Sequence, residues 1–128
     1  MVKISLKEIP VDRDNEESLT YCDVGGDRLF EIVGDKTVTL GHVFISEDTE
    51  TPSGIPCKTY INWLELLTVF QNRGFLRPIM NVLSEKFGEI YLSAADRTEE
   101  KYRGIGAISM GIDDFTGLEI FRYKKGAR

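Results

Sequence analysis

Cysteine, histidine and long apolar runs are scarce in this sequence. Its 128 residues include two cysteines, Cys22 and Cys57, and a single histidine, His42. The cysteines form no C-x-x-C pair, so a zinc site would have to recruit both of them, His42 and a carboxylate from separate loops. Reduced thiols without a metal are the simpler prediction, and we assign no metal-binding residues.

The longest apolar run falls well short of the roughly 20 residues that a membrane-spanning helix needs. The N-terminal residues M-V-K-I-S-L-K-E-I alternate and carry charge, which is not the pattern of a signal peptide. We therefore expect a cytoplasmic protein with no membrane partner.

A surplus of positive charge is also missing. The net charge is −5, which argues against nucleic acid as a partner because phosphate binding requires a positive surface. The charge is compatible with a cationic substrate such as an amine, although solubility alone explains it more simply. With 41% hydrophobic and 29% charged residues, the composition is that of one ordinary globular domain over residues 1–128.

Alternating apolar residues and turn residues predict the order of elements. Strands are expected at residues 2–9, 28–33, 37–45, 58–70, 89–94, 107–112 and 118–123. The sequence leaves residues 12–18 as either a short helix or a mobile loop. A turn is expected at Gly25-Gly26-Asp27 and a polar loop at residues 46–56.

Residues 60–91 are the predicted centre of the fold, with a strand, a loop, a helix and a second strand. The first strand has apolar residues on both predicted faces, which is typical of a central strand covered on both sides. One face carries Ile61, Trp63 and Leu67, and the other carries Leu64, Leu66 and Phe70.

Two helices are predicted after this strand. Pro78 is compatible with a helix only in its first turn, so the first helix should begin near Leu76 or Arg77. Gly88 should end it. The loop before it would direct backbone N–H groups to the helix N-terminus, where an anion can bind. Thr98 is expected to cap the second, shorter helix.

Two motifs make the chain resemble the GNAT family, the Gcn5-related N-acetyltransferases. The sequence Q-N-R-G-F-L at residues 71–76 is similar to the family's acetyl-CoA loop, Gln/Arg-x-x-Gly-x-Gly/Ala. The sequence Y-R-G-I-G-A at residues 102–107 resembles the turn that ends the family's later helix. The resemblance implies a mixed α+β or α/β fold: a mostly antiparallel twisted sheet of six to seven strands, splayed at its centre, with two to three helices.

The resemblance also implies acetyl-CoA as co-substrate. Backbone N–H groups of the loop would bind its pyrophosphate, with Arg73 or Arg77 adding a charge-assisted contact, and the strand end would pair with its pantetheine amides. Leu76 stands where the family has Gly or Ala, and Pro78 lacks an N–H. The candidate cofactor-binding residues are Leu66, Leu67, Thr68, Gln71, Asn72, Arg73, Gly74, Phe75, Leu76 and Arg77.

For catalysis, the resemblance assigns Tyr102 as the acid that protonates the departing thiolate. Glu65 is the candidate base because it is the only carboxylate in its strand. Family bases often lie nine or eleven residues before the loop, which corresponds to Asn62 and Tyr60. Strand alternation puts these on the face opposite Glu65 unless a bulge intervenes. His42 is a more distant alternative.

Two functions remain open on the sequence. One is an N-acetyltransferase that moves the acetyl group to a primary amine of a small molecule or a protein by direct attack, as a monomer or a homodimer. The other is a non-catalytic GNAT-like protein, for example a phage-type binding or structural module, because the segment between the first two strands is short for this family.

Overall fold

In the part of the chain that the structure describes, two α-helices accompany a seven-stranded sheet. The computed structural model describes residues 3–10, 28–95 and 97–126. The strands are β1 (Ser5–Ile9), β2 (Arg28–Val33), β3 (Thr39–Glu50), β4 (Pro56–Leu66), β5 (Ile90–Ser93), β6 (Ile108–Ile112) and β7 (Glu119–Tyr123). The helices are α1 (Leu76–Phe87) and α2 (Glu99–Gly104), and 3-10 turns occupy Asp35–Thr37 and Thr68–Phe70.

The strands follow the order β1-β2-β3-β4-β5-β7-β6. All neighbouring pairs are antiparallel except β4 and β5, which are parallel. The predicted mixed, mostly antiparallel sheet of six to seven strands is confirmed. The short C-terminal hairpin of β6 and β7 is also confirmed.

The sheet opens between β4 and β5. Within the described ranges these strands share only two backbone pairs, Tyr60 with Tyr91 and Ile61 with Leu92. Beyond them β4 continues to Leu66, whereas β5 ends at Ser93. The predicted splay of the central strands is therefore present, and β4 has a free edge along its last residues.

The core lies between α1 and one face of the sheet, which we call the helix face. The apolar side of α1 buries Ile79, Met80, Leu83 and Phe87. Its partners on the sheet are Phe30, Ile32, Val43, Ile45, Ile61, Ile90, Leu92 and Phe121. Each fully buried side chain of this size contributes about 1.5–3 kcal/mol to the hydrophobic stabilisation of the fold. The opposite side of the sheet is called the far face.

A bulge in β4 decides which of its residues lie on each face. Phe44 of β3 is opposite Trp63, but Ile45 is opposite Ile61, so Asn62 is the extra residue. Because of this insertion, Ile61 and Leu64 both contact the core on the helix face although they are three residues apart.

The predicted strand at residues 58–70 is confirmed as far as Leu66 and as a central strand, but its end at residue 70 and its coverage on both sides are wrong. β4 ends at Leu66, and local hydrogen bonds of a 3-10 turn follow, from Phe70 N to Leu67 O at 2.8 Å and from Gln71 N to Thr68 O at 3.2 Å. Trp63 and Leu67 are 39% and 45% exposed. The continuous apolar sequence therefore spans two elements, the end of β4 and the 3-10 turn that follows it.

The polar loop predicted at residues 46–56 is also mostly wrong. β3 continues to Glu50 and β4 begins at Pro56, so the connection is only residues 51–55. This hairpin tip closes on itself, with Thr51 N donating to Ile55 O, Gly54 N to Thr51 O and Ile55 N to Thr51 Oγ1, at 2.9–3.0 Å. Polar residues in this stretch are compatible with a strand because one side of the hairpin faces solvent.

The helix boundaries agree with the sequence prediction. α1 begins at Leu76 and ends before Gly88, whose φ of +79° few other residues adopt. Thr98 precedes α2, but its Oγ1 donates to Ala95 O at 2.6 Å and does not cap the helix. No helix in the described part of the chain is long and apolar enough to cross a bilayer. The predictions for residues 12–18 and 25–27 lie outside the described residues.

Candidate functional site

The free edge of β4 is the starting point of the site. Residues 62–66 of β4 run beside β3 on one side, and no described strand pairs with them on the other. An open strand edge presents N–H and C=O groups that an extended ligand can pair with. One group on this edge is occupied, because Leu66 O accepts from Gln71 Nε2 at 2.9 Å. Leu67 N is on the β3 side of the strand, where it donates to Leu40 O at 2.8 Å.

The loop between this edge and α1 is exposed and open. Asn72 and Gly74 have φ angles of +60° and +81°, and no atom lies within 4 Å of the position that a Cβ on Gly74 would take. A glycine here allows a ligand to approach the backbone closely. The predicted residues Gln71, Asn72, Arg73 and Gly74 are thus together on one accessible turn.

The N-terminus of α1 carries donors and no acid. Phe75 at the N-cap makes no side-chain cap hydrogen bond, and the first turn holds no carboxylate. Ile79 N already donates to Phe75 O, and Pro78 has no N–H. The N–H groups of Leu76 and Arg77 remain as first-turn donors at the positive end of the helix. This arrangement favours an anion.

The two arginines of the loop region differ in their contacts. Arg77 Nη2 donates to Gly104 O at 2.9 Å and so ties the start of α1 to the end of α2. Arg73 is exposed and makes no ion pair with any described residue. Arg73 is therefore the cation available to an anion here. Leu76 packs against the core, so its side chain is directed away from solvent.

Tyr102 lies on α2 in a partly buried position and stacks on Phe121, with 5.8 Å between ring centroids. Burial raises the pKa of Tyr102 to about 12. Its hydroxyl makes no hydrogen bond to the described residues, so it is free to donate. A tyrosine keeps its proton at neutral pH without this shift, and the raised pKa makes the phenol a weaker acid towards a thiolate.

Glu65 is exposed on the far face, the side of β4 opposite α1. It accepts a hydrogen bond from Trp63 Nε1 at 3.2 Å and is directly opposite His42 on β3. The two candidate bases are thus neighbours across the sheet. Both remain predictions.

The bulge changes the argument about Tyr60 and Asn62. Since Asn62 is the extra residue, Tyr60 and Glu65 share the far face, although alternation in an unbroken strand would separate them. Asn62 Oδ1 accepts from Ser46 Oγ at 2.8 Å. The Tyr60 and Ser93 hydroxyls are 2.6 Å apart, across the opening of the sheet. Burial raises the pKa of Tyr60, and the Ser93 hydrogen bond opposes that effect.

Ser93 and Asp113 are polar residues near this opening that the sequence prediction missed. Asp113 follows β6 and is only 2% exposed. The turn D-D-F-T-G signals an aspartate that binds its own backbone, and Asp113 Oδ1 accepts from Phe115 N at 2.8 Å. Nothing in that pattern indicates that the carboxylate is buried beside another loop.

No model of a known protein family matches this sequence, and no curated protein sequence matches it. Solved structures do match it, over nearly its whole length. The Bacillus subtilis N-acetyltransferase YlbP in complex with coenzyme A superposes with a TM-score of 0.60 at 12% identity, over 97% of this chain and 97% of that chain. The Vibrio cholerae spermidine N-acetyltransferase in complex with CoA and spermine has a TM-score of 0.60 at 14% identity, over 94% and 93% of the two chains.

A dodecameric structure of the same Vibrio cholerae enzyme matches with a TM-score of 0.58 at 15% identity, over 94% of this chain and 91% of that chain. At such identities the likeness concerns the fold. The resemblance predicted from the two motifs is confirmed at that level: the chain has the GNAT fold of these N-acetyltransferases.

Proposed function

We propose that the protein is an N-acetyltransferase that moves the acetyl group of acetyl-CoA to a primary amine by direct attack. One observation carries the proposal: the free edge of β4 leads directly into an open loop and a helix start with N–H donors and no acid. The strand edge can pair with the amides of an extended chain, and the adjoining loop and helix start can bind a pyrophosphate. The structural neighbours solved with coenzyme A support it.

In the proposed complex the pantetheine arm lies along the end of β4, at Leu66, Leu67 and Thr68. The pyrophosphate lies at residues 71–76, where backbone N–H groups and the exposed Arg73 meet it. Arg77 is bound to Gly104 O, so its role is to hold α2, and with it Tyr102, near the start of α1.

The reaction forms a C–N bond and breaks the C–S bond of the thioester. The amine nitrogen attacks in its neutral form, its surplus proton leaves to a base, and the coenzyme A thiolate takes a proton from Tyr102. Glu65 or His42 serves as the base, through water, from the far face. A Tyr102 hydroxyl without a protein partner suits its part in this scheme.

For the acceptor we propose a small amine. The net charge of −5 favours cations near the protein, and one structural neighbour was solved with spermine. A protein amine is the alternative acceptor. The cytoplasmic location remains an expectation from the sequence.

A non-catalytic GNAT-like module is the second candidate. Two contacts favour it: Gln71 Nε2 occupies Leu66 O at the end of the free edge, and Arg77 is engaged by Gly104. Both reduce the number of groups available to the cofactor. Binding of acetyl-CoA without turnover would favour this candidate.

We further infer that two copies associate through β6. This outer strand contains no charged residue, and Ile108, Met110 and Ile112 are 39%, 40% and 63% exposed. The other edge strand, β1, carries Lys7 and Glu8, as protected edges do. Since each copy presents the same apolar edge, a two-fold contact covers both at once.

Titration with acetyl-CoA, followed by thermal unfolding, tests the proposed function. Free ligand at 100 times its Kd should stabilise the fold by about 2.7 kcal/mol. Arg73→Glu should abolish most of the shift, whereas Lys101→Glu, an equal charge change on exposed α2, should leave it. Turnover is then measured as release of the coenzyme A thiol in the presence of spermidine. An unchanged melting temperature at millimolar acetyl-CoA would contradict the enzyme proposal.

A further inference from the structure

The carboxylate of Asp113 is buried, and one of its oxygens is poorly satisfied. It lies just after β6, and the residue is 2% exposed. Oδ1 accepts from Phe115 N at 2.8 Å and from Thr116 N at 3.0 Å. Oδ2 is buried and accepts no hydrogen bond of normal geometry, although polar groups of Ser53 lie close to the carboxylate. A polar atom in that state costs free energy unless something binds it.

This carboxylate also lacks a counter-charge among the described residues. No described lysine or arginine forms an ion pair with Asp113. Burial alone would raise the pKa of Asp113, but polar groups of Ser53 and the N–H groups of Thr116 and Phe115 outweigh burial and lower it. The group is therefore an anion at neutral pH. A buried, unpaired anion is stabilised strongly by a cation that reaches it.

Asp113 lies at the same end of the sheet as the opening, since Ile112 pairs with Glu119, whose O accepts from Ala94 N just after β5. Its charge is one of the influences that raise the pKa of Tyr60, after burial and Cys57. Tyr60 and Ser93 meet across the opening at 2.6 Å. The same side of the sheet holds a small apolar cluster of Cys57, Tyr91 and Ile120 with Ile55 and Tyr60 packed on it. Asp113 is thus a negative charge at the same end of the sheet as the opening, near enough to influence Tyr60.

We propose that Asp113 binds a positively charged nitrogen of the acceptor, other than the nitrogen that is acetylated. The inference rests on the proposed acetyltransferase function and names a residue that selects its substrate. The attacking nitrogen must be neutral when it reacts, so a fixed buried anion is of most use to a second amine. The substrate class that fits is a diamine or polyamine.

Access to Asp113 requires the tip of the β3–β4 hairpin to move. Ser53 lies against the carboxylate, and Pro52, Ser53 and Gly54 are exposed on their outer side. The tip is closed by its own hydrogen bonds between Thr51, Gly54 and Ile55, so it can shift as a unit. The acceptor ammonium then takes the place of Ser53 on the carboxylate.

Calorimetric titration of the coenzyme A complex with spermidine tests the proposal. Asp113→Asn keeps an oxygen for the turn and removes the charge, and we expect it to weaken spermidine binding at least tenfold. The melting temperature without ligand should stay the same or fall, because the folded state favours the charged form of this carboxyl. Asp114→Asn, at the exposed neighbouring position, should bind spermidine as the unmodified protein does. Unchanged spermidine affinity in Asp113→Asn would overturn the proposal.

A second variant keeps the test decisive if Asp113→Asn does not fold. Ser53→Lys places an ammonium on the tip next to Asp113, and we expect a higher melting temperature and at least tenfold weaker spermidine binding, with Ser53→Ala as the control. If neither change occurs, Asp113 is not the cation site. Acetyl-CoA binding, measured separately by thermal shift in each variant, reports on the proposed function itself. If the unmodified protein does not bind acetyl-CoA, the proposed function is wrong. If it binds acetyl-CoA but spermidine binding does not depend on Asp113, only the amine site is wrong.

Discussion

The Tyr60 hydroxyl of β4 lies 2.6 Å from the Ser93 hydroxyl at the end of β5. The two side chains meet where the strands part, next to the last backbone pair between Ile61 and Leu92. This contact closes the far-face end of the gap. It holds the two halves of the sheet together at the end of the gap.

Tyr60→Phe should destabilise the fold by about 1 kcal/mol, because a partly buried hydrogen bond is lost while the ring remains. Ser93→Ala should cost a similar amount. Combined, the two changes should cost little more than either alone, since they remove the same contact. Urea unfolding of the four proteins measures the coupling, and strictly additive losses would show that the hydroxyls do not stabilise each other.

Tyr102→Phe should lower kcat by about 100-fold, the lower range for the loss of a general acid. The KM for acetyl-CoA should not change, since the phenol is not needed for binding. The melting temperature should also hold, because the hydroxyl makes no hydrogen bond to the described residues and the ring still stacks on Phe121. Steady-state kinetics with a thermal scan checks this, and full turnover in the variant would remove Tyr102 from the acid role.

Alkaline pH should destabilise the protein through Tyr102. The folded-state pKa is raised from 10.0 to about 12 by burial, so its contribution is fully present below pH 10. As pH rises from 10 towards 12 the unfolded state loses its proton first, and stability falls by about 1–3 kcal/mol. The free energy of unfolding of Tyr102→Phe should fall less over this window than that of the unmodified protein. Parallel curves would contradict the assignment.

Gly41→Ala should destabilise the protein by about 1–3 kcal/mol or more. A Cβ there would lie 1.9 Å from Glu65 O and 2.8 Å from the Leu66 Cα, so β4 would have to move at the free edge. Gly104→Ala is the matched control, since its Cβ meets nothing within 4 Å. We expect the control to stabilise by about 0.4–1 kcal/mol. Chemical denaturation of both variants gives the comparison, and similar values would show that β3 and β4 are not in this close contact.

Met110→Lys should shift the protein from dimer to monomer. It adds a charge to the apolar outer strand, and burying two such charges at a two-fold contact is costly. Val38→Lys makes the same change at another exposed apolar site, 45% exposed, and should leave the mass in solution unchanged. Light scattering after size exclusion distinguishes the two. A monomeric unmodified protein would rule out the β6 contact.

The sequence predicted the elements whose pattern is local. Gly88 and Pro78 define the ends of α1 because glycine adopts a positive φ that other residues resist and proline fixes its own φ. The loop at residues 71–76 is predictable because it also depends on consecutive residues. The extra residue Asn62 could not be found this way, since a bulge is defined by the register with β3. The polar side chains of residues 46–50 are typical of a loop, but these residues form a strand because they pair with β4.

The site was predicted unevenly for the same physical reason. The loop and the helix N-terminus are formed by consecutive residues, so the sequence Q-N-R-G-F-L is enough to predict the proposed pyrophosphate site. The two polar neighbours of Tyr60 come from separate segments of the chain. Ser93 is 33 positions away, and Asp113 is contributed by a turn that follows another strand. Contacts of this kind depend on the folded arrangement and leave no repeating signal in one sequence.

The two backbone pairs between β4 and β5 also have a consequence for folding cooperativity. Among the described residues, these two pairs are the only backbone pairing between two blocks of strands. One block is β1 to β4, and the other is β5, β7 and β6. Without ligand, amide hydrogen exchange should therefore report two protection levels, one for each block, because a short ladder transmits little stability between them. A molecule bound along the free edge of β4 and against α1 would act as an added strand between the blocks, and they would exchange as one.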